Sequence, residues 1–198
     1  MLLRKIGQIF ECVDLYRLNL KETINKFPEK NIKGYSFKVL NNTYEQVLYD
    51  FLNNRSKKYI GLIIDRINSQ AEYMCFAFIE NETGNIAHTR WVCFREFYSD
   101  VLKEKLILSN KEVITLDSYT HPDHRLKGLH TEMNKRMLNY LKEETDIEIV
   151  YIIIRCFYPY LHKVVRDLGY IRIKTKVYYK KGSIINFFKK IIKKFFKK

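Results

Sequence analysis

The chain of 198 residues has few of the residues that interrupt regular structure. It contains only 3 prolines and 7 glycines, which leaves little room for long linkers and predicts a single folded domain. No uninterrupted apolar run approaches the roughly 18 residues that a membrane span needs. Residues 1–9 are too few and too polar for the apolar core of a secretory signal. We therefore expect a cytoplasmic protein.

Cysteine is also scarce, and its spacing fits no common site. Cys12, Cys75, Cys93 and Cys156 lie far apart, and no Cys-x-x-Cys pair occurs. The four residues are predicted to be reduced members of the core or of strands. Hydrophobic residues make up 46% of the chain and aromatic residues 15%, which excludes a disordered protein and predicts a substantial core.

Acidic residues are outnumbered by basic ones, and the formal net charge is +14. Six lysines of the last ten residues carry part of this excess, but the rest of the chain is still basic. A basic domain suits an anionic cofactor or acceptor, although a solvated lysine-rich surface explains the charge equally well. Because no aromatic and basic motif of the RNA-binding type is present, nucleic acid is ranked last among the partners.

The most informative stretch is residues 120–131, which read Thr-His-Pro-Asp-His-Arg-Leu-Lys-Gly-Leu-His-Thr. An apolar run leads into it at residues 113–116, and an amphipathic run leaves it at residues 129–141. Backbone N–H groups at a helix N-terminus lack intrahelical partners, and the helix dipole favours an anion there. Gly128 permits close approach of the backbone, and Arg125 and Lys127 add positive charge. The pattern predicts a site for a phosphate-bearing ligand.

This stretch resembles the signature of the GNAT acyltransferase superfamily, Arg/Gln-x-x-Gly-x-Gly/Ala, which follows shortly after a proline. Here it reads Arg-Leu-Lys-Gly-Leu-His over residues 125–130, and His130 stands where Gly or Ala is usual. The resemblance implies that the loop holds the pyrophosphate of an acyl-coenzyme A. It also implies that backbone N–H groups of the preceding strand bind the pantetheine. The implied cofactor-binding residues are Ser118, Tyr119, Thr120, Arg125, Leu126, Lys127, Gly128, Leu129, His130 and Thr131.

A second part of the resemblance lies downstream. Residues 147–154 form a nearly continuous apolar run that is typical of a strand buried on both faces. A helix-like segment at residues 160–168 ends at Gly169-Tyr170, and residues 171–179 alternate as a strand. The order of elements is that of the family's second half. It implies an α/β (α+β) domain over residues 1–182, with a central mixed, mostly antiparallel sheet flanked by helices.

The first half is assigned from its periodicity. Residues 9–16 suit a first strand, and residues 73–79 and 86–98 form a predicted hairpin around the turn at residues 81–85. Helices are predicted from the apolar spacing of residues 47–52 and in residues 59–67. The helix after the signature loop places Leu129, Met133, Met137 and Leu141 on one side. Residues 99–110 are polar and carry no motif, so the sequence does not name the acceptor.

The resemblance implies transfer of an acyl group, in the first place acetyl from acetyl-CoA, to an amine. Such a reaction needs a proton acceptor for the amine, a donor for the carbonyl oxygen and an acid for the leaving thiolate. Asp117 is the first candidate for the base, because a carboxylate in a mostly apolar strand is expensive without a function or a partner. Glu112 and Glu96 are alternatives, although Glu96 equally suits an ion pair with Arg95 or Arg90.

The acid is less clearly indicated. The position of the family's usual tyrosine falls on Val165, so Tyr158 is the candidate from a shifted place, or it packs beside Phe157 and Tyr160 instead. An enzyme without an essential base also remains open. A metal is not expected at His121 and His124, because no further ligand completes a set at usual spacing.

Three functions follow, of which two are enzymes and one is a binding protein. The first is an N-acetyltransferase. Residues 119–122 read Tyr-Thr-x-Pro, which resembles family members associated with cell-surface glycan assembly, so an amino sugar is an acceptor by analogy. The second is a longer-chain N-acyltransferase at a membrane. The third is a degenerate protein that binds coenzyme A without turnover, for which His130 and Val165 would be signs. Oligomeric state is not indicated.

The last segment, residues 183–198, is separate in character. Isoleucines and phenylalanines form one helical stripe, and six lysines with Asn186 form the other side. A basic polar face opposite a phenylalanine-rich face predicts an amphipathic helix that lies on an anionic membrane surface, which makes the protein peripheral there. The alternative is a helix that docks on its own domain or on a second subunit.

Deletion of residues 183–198 should release the protein from anionic vesicles. Each lysine near an anionic leaflet contributes on the order of 1 kcal/mol, so removal of six lysines eliminates most of the attraction. Co-sedimentation with phosphatidylserine-containing vesicles measures the effect, and neutral vesicles serve as the control. Continued co-sedimentation of the shortened chain would refute the membrane assignment of the segment.

Overall fold

The computed structural model describes residues 10–23, 26–40, 45–53, 55, 57–69 and 72–179. The amphipathic segment at residues 183–198 and the predicted domain boundary before it lie outside these residues, and both stay predictions. No helix within the described ranges is long and apolar enough to cross a lipid bilayer.

This part of the chain contains nine strands and four α-helices. The strands are β1 (Phe10–Asn19), β2 (Tyr35–Leu40), β3 (Tyr73–Glu80), β4 (Ile86–Cys93), β5 (Phe97–Ser99), β6 (Glu104–Leu106), β7 (Glu112–Thr120), β8 (Ile149–Arg155) and β9 (Ile171–Tyr179). The helices are α1 (Glu45–Leu52), α2 (Lys57–Asn68), α3 (Leu129–Glu144) and α4 (Pro159–Asp167). A single 3-10 turn, Pro122–His124, lies in the predicted loop between β7 and α3.

Seven of the strands form one sheet in the order β2-β3-β4-β7-β8-β1-β9. Neighbouring strands run antiparallel, except for β7 and β8, which run parallel. The parallel pair needs a long crossover, and α3 supplies it. The predicted mixed, mostly antiparallel sheet flanked by helices is therefore confirmed.

The helices cover both faces of the sheet because side chains alternate along each strand. In β3, Cys75 and Ala77 pack into a cluster with Leu48, Phe51 and Ile63 of α1 and α2. The intervening phenylalanines of β3 point to the opposite face and join the main core with α3 and α4. The sheet is thus buried on two sides in its centre, where the polar residues of a site are hardest to accommodate.

The helix after the loop follows its predicted pattern closely. Leu129, Met133, Met137 and Leu141 all lie in the main core, and none is more than 1% exposed. The stripe anchors α3 against β3, β4 and β7. It therefore fixes the position of the helix N-terminus at the end of β7.

The predicted run at residues 86–98 divides in the structure. β4 ends at Cys93, and a separate two-stranded hairpin of β5 and β6 follows. The hairpin uses residues that carried no sequence motif, because three-residue strands are too short to show a period. Its Leu102 packs against Val13 and Leu15 of β1, so it covers the second face of the sheet at that edge.

The predicted reduced state of all four cysteines is wrong for two of them. Cys12 of β1 and Cys156, just after β8, form a disulfide across neighbouring strands, and their Cα atoms lie 5.3 Å apart. The backbone N–H of Cys156 also donates to the Cys12 carbonyl oxygen. Because 144 residues separate the pair, sequence spacing does not reveal it. Cys75 and Cys93 are free and buried, as predicted.

Removal of the disulfide in a Cys12→Ser, Cys156→Ser variant should lower the free energy of unfolding by about 2–5 kcal/mol, because the cross-link constrains a long loop in the unfolded chain. Urea denaturation measures the change. Dithiothreitol should lower the stability of the native chain similarly and leave the variant unaffected. Equal stability of the two proteins without reductant would contradict the cross-link.

Candidate functional site

The strands β7 and β8 separate along their length. They pair from Glu112 with Ile149 to Thr115 with Ile152, and both strands then continue without pairing to each other. A cavity of about 220 Å³ opens where they diverge. The divergence therefore creates a site in the middle of an otherwise continuous sheet.

A β-bulge in β7 accompanies the divergence. In the pairing of β4 with β7, Thr89 faces Tyr119 and Trp91 faces Leu116, so Asp117 and Ser118 together oppose the single residue Arg90. Asp117 has a φ of 36°, in the left-handed region that aspartate tolerates better than most residues. Bulges bend a strand and redirect its side chains.

The bulge directs Asp117 toward α2 and the segment before it. Its carboxylate accepts two hydrogen bonds from Arg55, at 2.9 and 3.1 Å, and one from Arg66 at 3.2 Å. Arg55 also lies over the rings of Tyr59 and Tyr119. The two arginine partners account for a carboxylate in this strand without a catalytic role.

The cavity brings together residues from β4, β7, β8, α3 and α4. Its polar lining consists of Arg90, Thr115, Asp117, Ser118, His130 and Asn134, and its apolar lining comes from Leu116, residues 152–154, Leu161, Val164 and Val165. Of the predicted site residues, Asp117, Ser118 and His130 thus share one cavity. The polar groups come from β4, β7 and α3, and the aliphatic groups, apart from Leu116, come from β8 and α4.

A chain of hydrogen bonds crosses the cavity wall. The hydroxyl of Ser118 lies 3.3 Å from Nε2 of His88 and 3.0 Å from Nδ1 of His130, and Nδ1 of His88 lies 2.7 Å from the Thr120 hydroxyl. Burial lowers the pKa of His130 to about 4. The pKa of His88 lies well below its usual value, mainly because the ring is buried and in second place because His130 is nearby. Both imidazoles are therefore neutral near pH 7.

The loop before α3 has the geometry expected of an anion site. Gly128 precedes the helix with a φ of 79°, and a Cβ built on it would meet no atom within 4 Å. Among the described residues, none accepts a hydrogen bond from the backbone N–H groups of residues 126–131. Arg125 is exposed and its Nε donates to the Thr120 carbonyl oxygen at 3.4 Å. The helix N-terminus is thus accessible to a ligand.

Other residues of the loop and of the first turn of α3 differ in exposure and in their hydrogen bonds. Leu126 is fully exposed with a φ of 64°, whereas Leu129 is buried and can offer a ligand only its backbone. The ammonium of Lys127 donates to the Tyr35 hydroxyl at 2.7 Å. The Thr131 hydroxyl lies 3.3 Å from that of Tyr160, which links the start of α3 to α4.

A larger, more open cavity of about 490 Å³ lies on the other side of this loop. Lys127, His121 and His124 line it together with Asp50 and Phe51 of the α1 region. Tyr119 points to this face too, because its ring meets Phe51 with centroids 5.0 Å apart. The loop and the first turn of α3 therefore border both cavities, with Lys127 in the larger one and His130 in the smaller one.

The structure places the other catalytic candidates away from the β7–β8 cavity. Tyr158 is 51% exposed before the first turn of α4, and its phenol lies near Arg155 rather than in the cavity. Val165, at the position of the family's tyrosine, is buried and lines the cavity as an aliphatic wall. Within the described ranges no tyrosine hydroxyl lines this cavity.

The two glutamates are likewise occupied elsewhere. Glu96 lies outside the strands and forms an exposed ion pair with Lys105, 2.5 Å apart, rather than with Arg95 or Arg90. Glu112 lies at the opposite end of β7 and accepts hydrogen bonds from the Tyr151 hydroxyl and the Ser109 N–H. Burial alone would raise the pKa of Glu112, but these bonds lower it. No group of three or more potential metal ligands occurs in the described part of the chain.

Sequence reasoning missed several polar residues of the site, among them His88, Arg90 and Asn134. His88 and Arg90 lie on one face of β4, in a strand that is buried throughout. Their spacing of two in a mostly apolar strand is the signal that could have found them, because such residues share a face of the sheet. Asn134, one turn after His130 on α3, donates from its side chain to the His130 carbonyl oxygen.

The paired state of Asp117 leads to a stability prediction. Asp117→Asn should lower the free energy of unfolding by about 1–3 kcal/mol, since it leaves two half-buried arginines without their carboxylate while asparagine still tolerates the left-handed backbone. Urea denaturation gives the value. The matched change Glu96→Gln removes an exposed ion pair and should cost under about 1 kcal/mol. Similar losses in the two variants would argue against the buried pairing.

Comparison with known proteins adds the wider context. No protein-family model and no curated protein matches the sequence. Solved structures do match. A GCN5-related glucosamine N-acetyltransferase region of a fungal multi-domain GH3 β-N-acetylglucosaminidase has a TM-score of 0.64 at 12% identity, over 84% of this chain and 20% of that one.

Two further structures show the same likeness. A tandem GNAT protein from the clavulanic acid biosynthesis pathway has a TM-score of 0.58 at 14% identity, over 86% of this chain and 54% of that one. A GCN5-related N-acetyltransferase from Sphaerobacter thermophilus has a TM-score of 0.62 at 9% identity, over 90% of this chain and 55% of that one. The chain spans about half or less of these three proteins. It has the fold of the GNAT (GCN5-related N-acetyltransferase) superfamily.

Proposed function

We propose that the protein is an acyl-coenzyme A-dependent N-acyltransferase, with acetyl as the simplest acyl group and an amine as acceptor. One observation carries this proposal: two features that suit the two parts of an acyl-coenzyme A lie next to each other. An accessible helix N-terminus with a glycine before it adjoins a cavity that opens between β7 and β8. The first suits a pyrophosphate, and the second suits a thioester with its pantetheine arm.

The residues present fit coenzyme A in most respects. Gly128 leaves open space at the helix N-terminus, and Arg125 and Lys127 supply positive charge beside it. The unpaired edge of β7 at residues 118–120 offers backbone groups to the pantetheine. His130 does not crowd the helix terminus, because its ring turns away to Ser118 and enters the cavity lining.

Proton transfer is assigned to the His130–Ser118–His88 chain rather than to Asp117. Neutral imidazoles and hydroxyls each donate and accept, so such a chain can take a proton from the attacking amine while it gives one to the leaving thiolate, and it gains no net charge. Asp117 instead holds the bulge through Arg55 and Arg66. Tyr158 as acid and Glu96 as base remain hypotheses, and their positions outside the cavity do not favour them.

An amino sugar as acceptor and a membrane-bound acceptor are finer proposals. The first depends on the Tyr-Thr-x-Pro stretch at residues 119–122, and the second on the basic tail at residues 183–198. We assign either acceptor to the open cavity between the loop and α1, because it is the larger of the two cavities that the loop and the first turn of α3 border. A screen of amines should begin with amino sugars.

A binding protein without turnover is the second candidate. One observation favours it: Val165 fills the place of the family's tyrosine acid, and the described cavity lining holds no replacement phenol. Binding of acetyl-CoA without transfer to any amine in a broad screen would support this candidate over the enzyme.

The loop is tested by titration calorimetry with acetyl-CoA and desulfo-coenzyme A. The native chain should bind both with micromolar affinity, and Gly128→Val should lose binding, because valine resists a positive φ and its branches occupy the approach to the N–H groups. Gly84→Val is a matched control: Gly84 has a φ of 73° and equally open surroundings, but lies in the β3–β4 turn. Unchanged affinity of Gly128→Val would refute the loop assignment.

A further inference from the structure

Arg90 is a buried cation without an acidic partner. Its side chain stands in the centre of β4, and the residue is only 3% exposed. One Nη2–H donates to the Thr115 hydroxyl at 2.9 Å, and Nε has no partner. In contrast to Arg55 and Arg66, it forms no ion pair with any carboxylate of the described residues. A charge in this position is expensive unless something compensates it.

The charge persists at physiological pH. Burial lowers the pKa of Arg90 only to about 10, so the guanidinium stays protonated near neutrality. Tyr170 lies nearby, but burial raises its pKa, and the phenol stays neutral as well. Arg17 also has an unpartnered buried Nε, but Arg17 lies close enough to Glu112 to help lower the pKa of that carboxyl. Of these two arginines, only Arg90 has no carboxylate nearby among the described residues.

The guanidinium lines the cavity between β7 and β8. The same lining includes the Ser118 hydroxyl, the neutral His130 and the amide of Asn134, all of which can donate hydrogen bonds. The Asp117 carboxylate also belongs to the lining, but Arg55 and Arg66 already bind it. The lining from β8 and α4 is aliphatic, from residues 152–154, Val164 and Val165. A short methylene chain that ends in an anionic group matches both parts of the lining: the chain lies along the aliphatic residues and the anion meets Arg90.

We propose that this cavity binds a substrate carboxylate at Arg90, brought by the free end of a dicarboxylic acyl group such as succinyl on the coenzyme A thioester. The inference deepens the proposed function and rests on it, because it specifies the acyl group that the transferase accepts. Arg90 acts as a specificity residue. An arginine fork fits a carboxylate with paired, charge-assisted hydrogen bonds.

The test is calorimetric titration of the full chain with succinyl-CoA and butyryl-CoA, which have equal numbers of acyl carbons and differ in the terminal carboxylate. The native chain should prefer succinyl-CoA by roughly ten- to a hundredfold, as expected for a charge-assisted pair. Arg90→Met should abolish the preference and keep the affinity for butyryl-CoA, while Arg90→Lys should retain part of it. Since Arg90→Met removes an uncompensated buried charge, its melting temperature should not fall.

The other source of a carboxylate is the acceptor. It is tested by titration of γ-aminobutyrate and butylamine into protein saturated with desulfo-coenzyme A, which has no acyl group to transfer; a preference for γ-aminobutyrate that Arg90→Met abolishes would support the carboxylate site with the acceptor as source. Equal affinity of the native chain for succinyl-CoA and butyryl-CoA, together with its equal affinity for γ-aminobutyrate and butylamine, would overturn the inference. These two comparisons use only the native chain, so they test the inference even if Arg90→Met does not fold. Failure of coenzyme A itself to bind would instead overturn the proposed function.

Discussion

The parallel pairing of β7 with β8 lasts only from Glu112 to Thr115, and the cavity, the bulge and the helix N-terminus all depend on where it ends. Beyond Thr115 the extra residue of the bulge turns β7 away from its neighbour while β4 still holds its other edge. Asp117 keeps this conformation through two arginines from the α1–α2 side of the sheet. A straight strand here would close the sheet and remove the cavity.

The opened sheet changes the chemistry of the residues around it. Buried polar groups in a closed sheet would need partners from the fold, whereas Ser118, His88 and His130 satisfy one another along the cavity wall. Their burial holds both imidazoles neutral. Arg90 is the exception, since it brings a full charge to the same wall with a single hydroxyl partner. One structural feature thus places a chain of neutral hydrogen-bonding groups and a cation next to each other.

The remaining fold supports this centre from a distance. The apolar stripe of α3 sets the helix terminus against the end of β7, and α4 closes the aliphatic side of the cavity with Val164 and Val165. The disulfide between Cys12 and Cys156 ties β1 to the chain just before α4. It therefore stabilises the edge of the cavity formed by β8, where the sheet has lost its pairing with β7.

The sequence by itself determined the order of elements from β7 onward, the glycine turn and the core face of α3, because periodicity and turn chemistry act between residues close along the chain. The pairing of Asp117 with Arg55 and Arg66, the joining of Cys12 to Cys156 and the isolation of Arg90 were decided by tertiary structure. Each depends on strands or helices that meet from distant parts of the chain. A single sequence shows which residues are charged. Whether each charged side chain has a partner of opposite charge depends on the residues that the fold brings next to it.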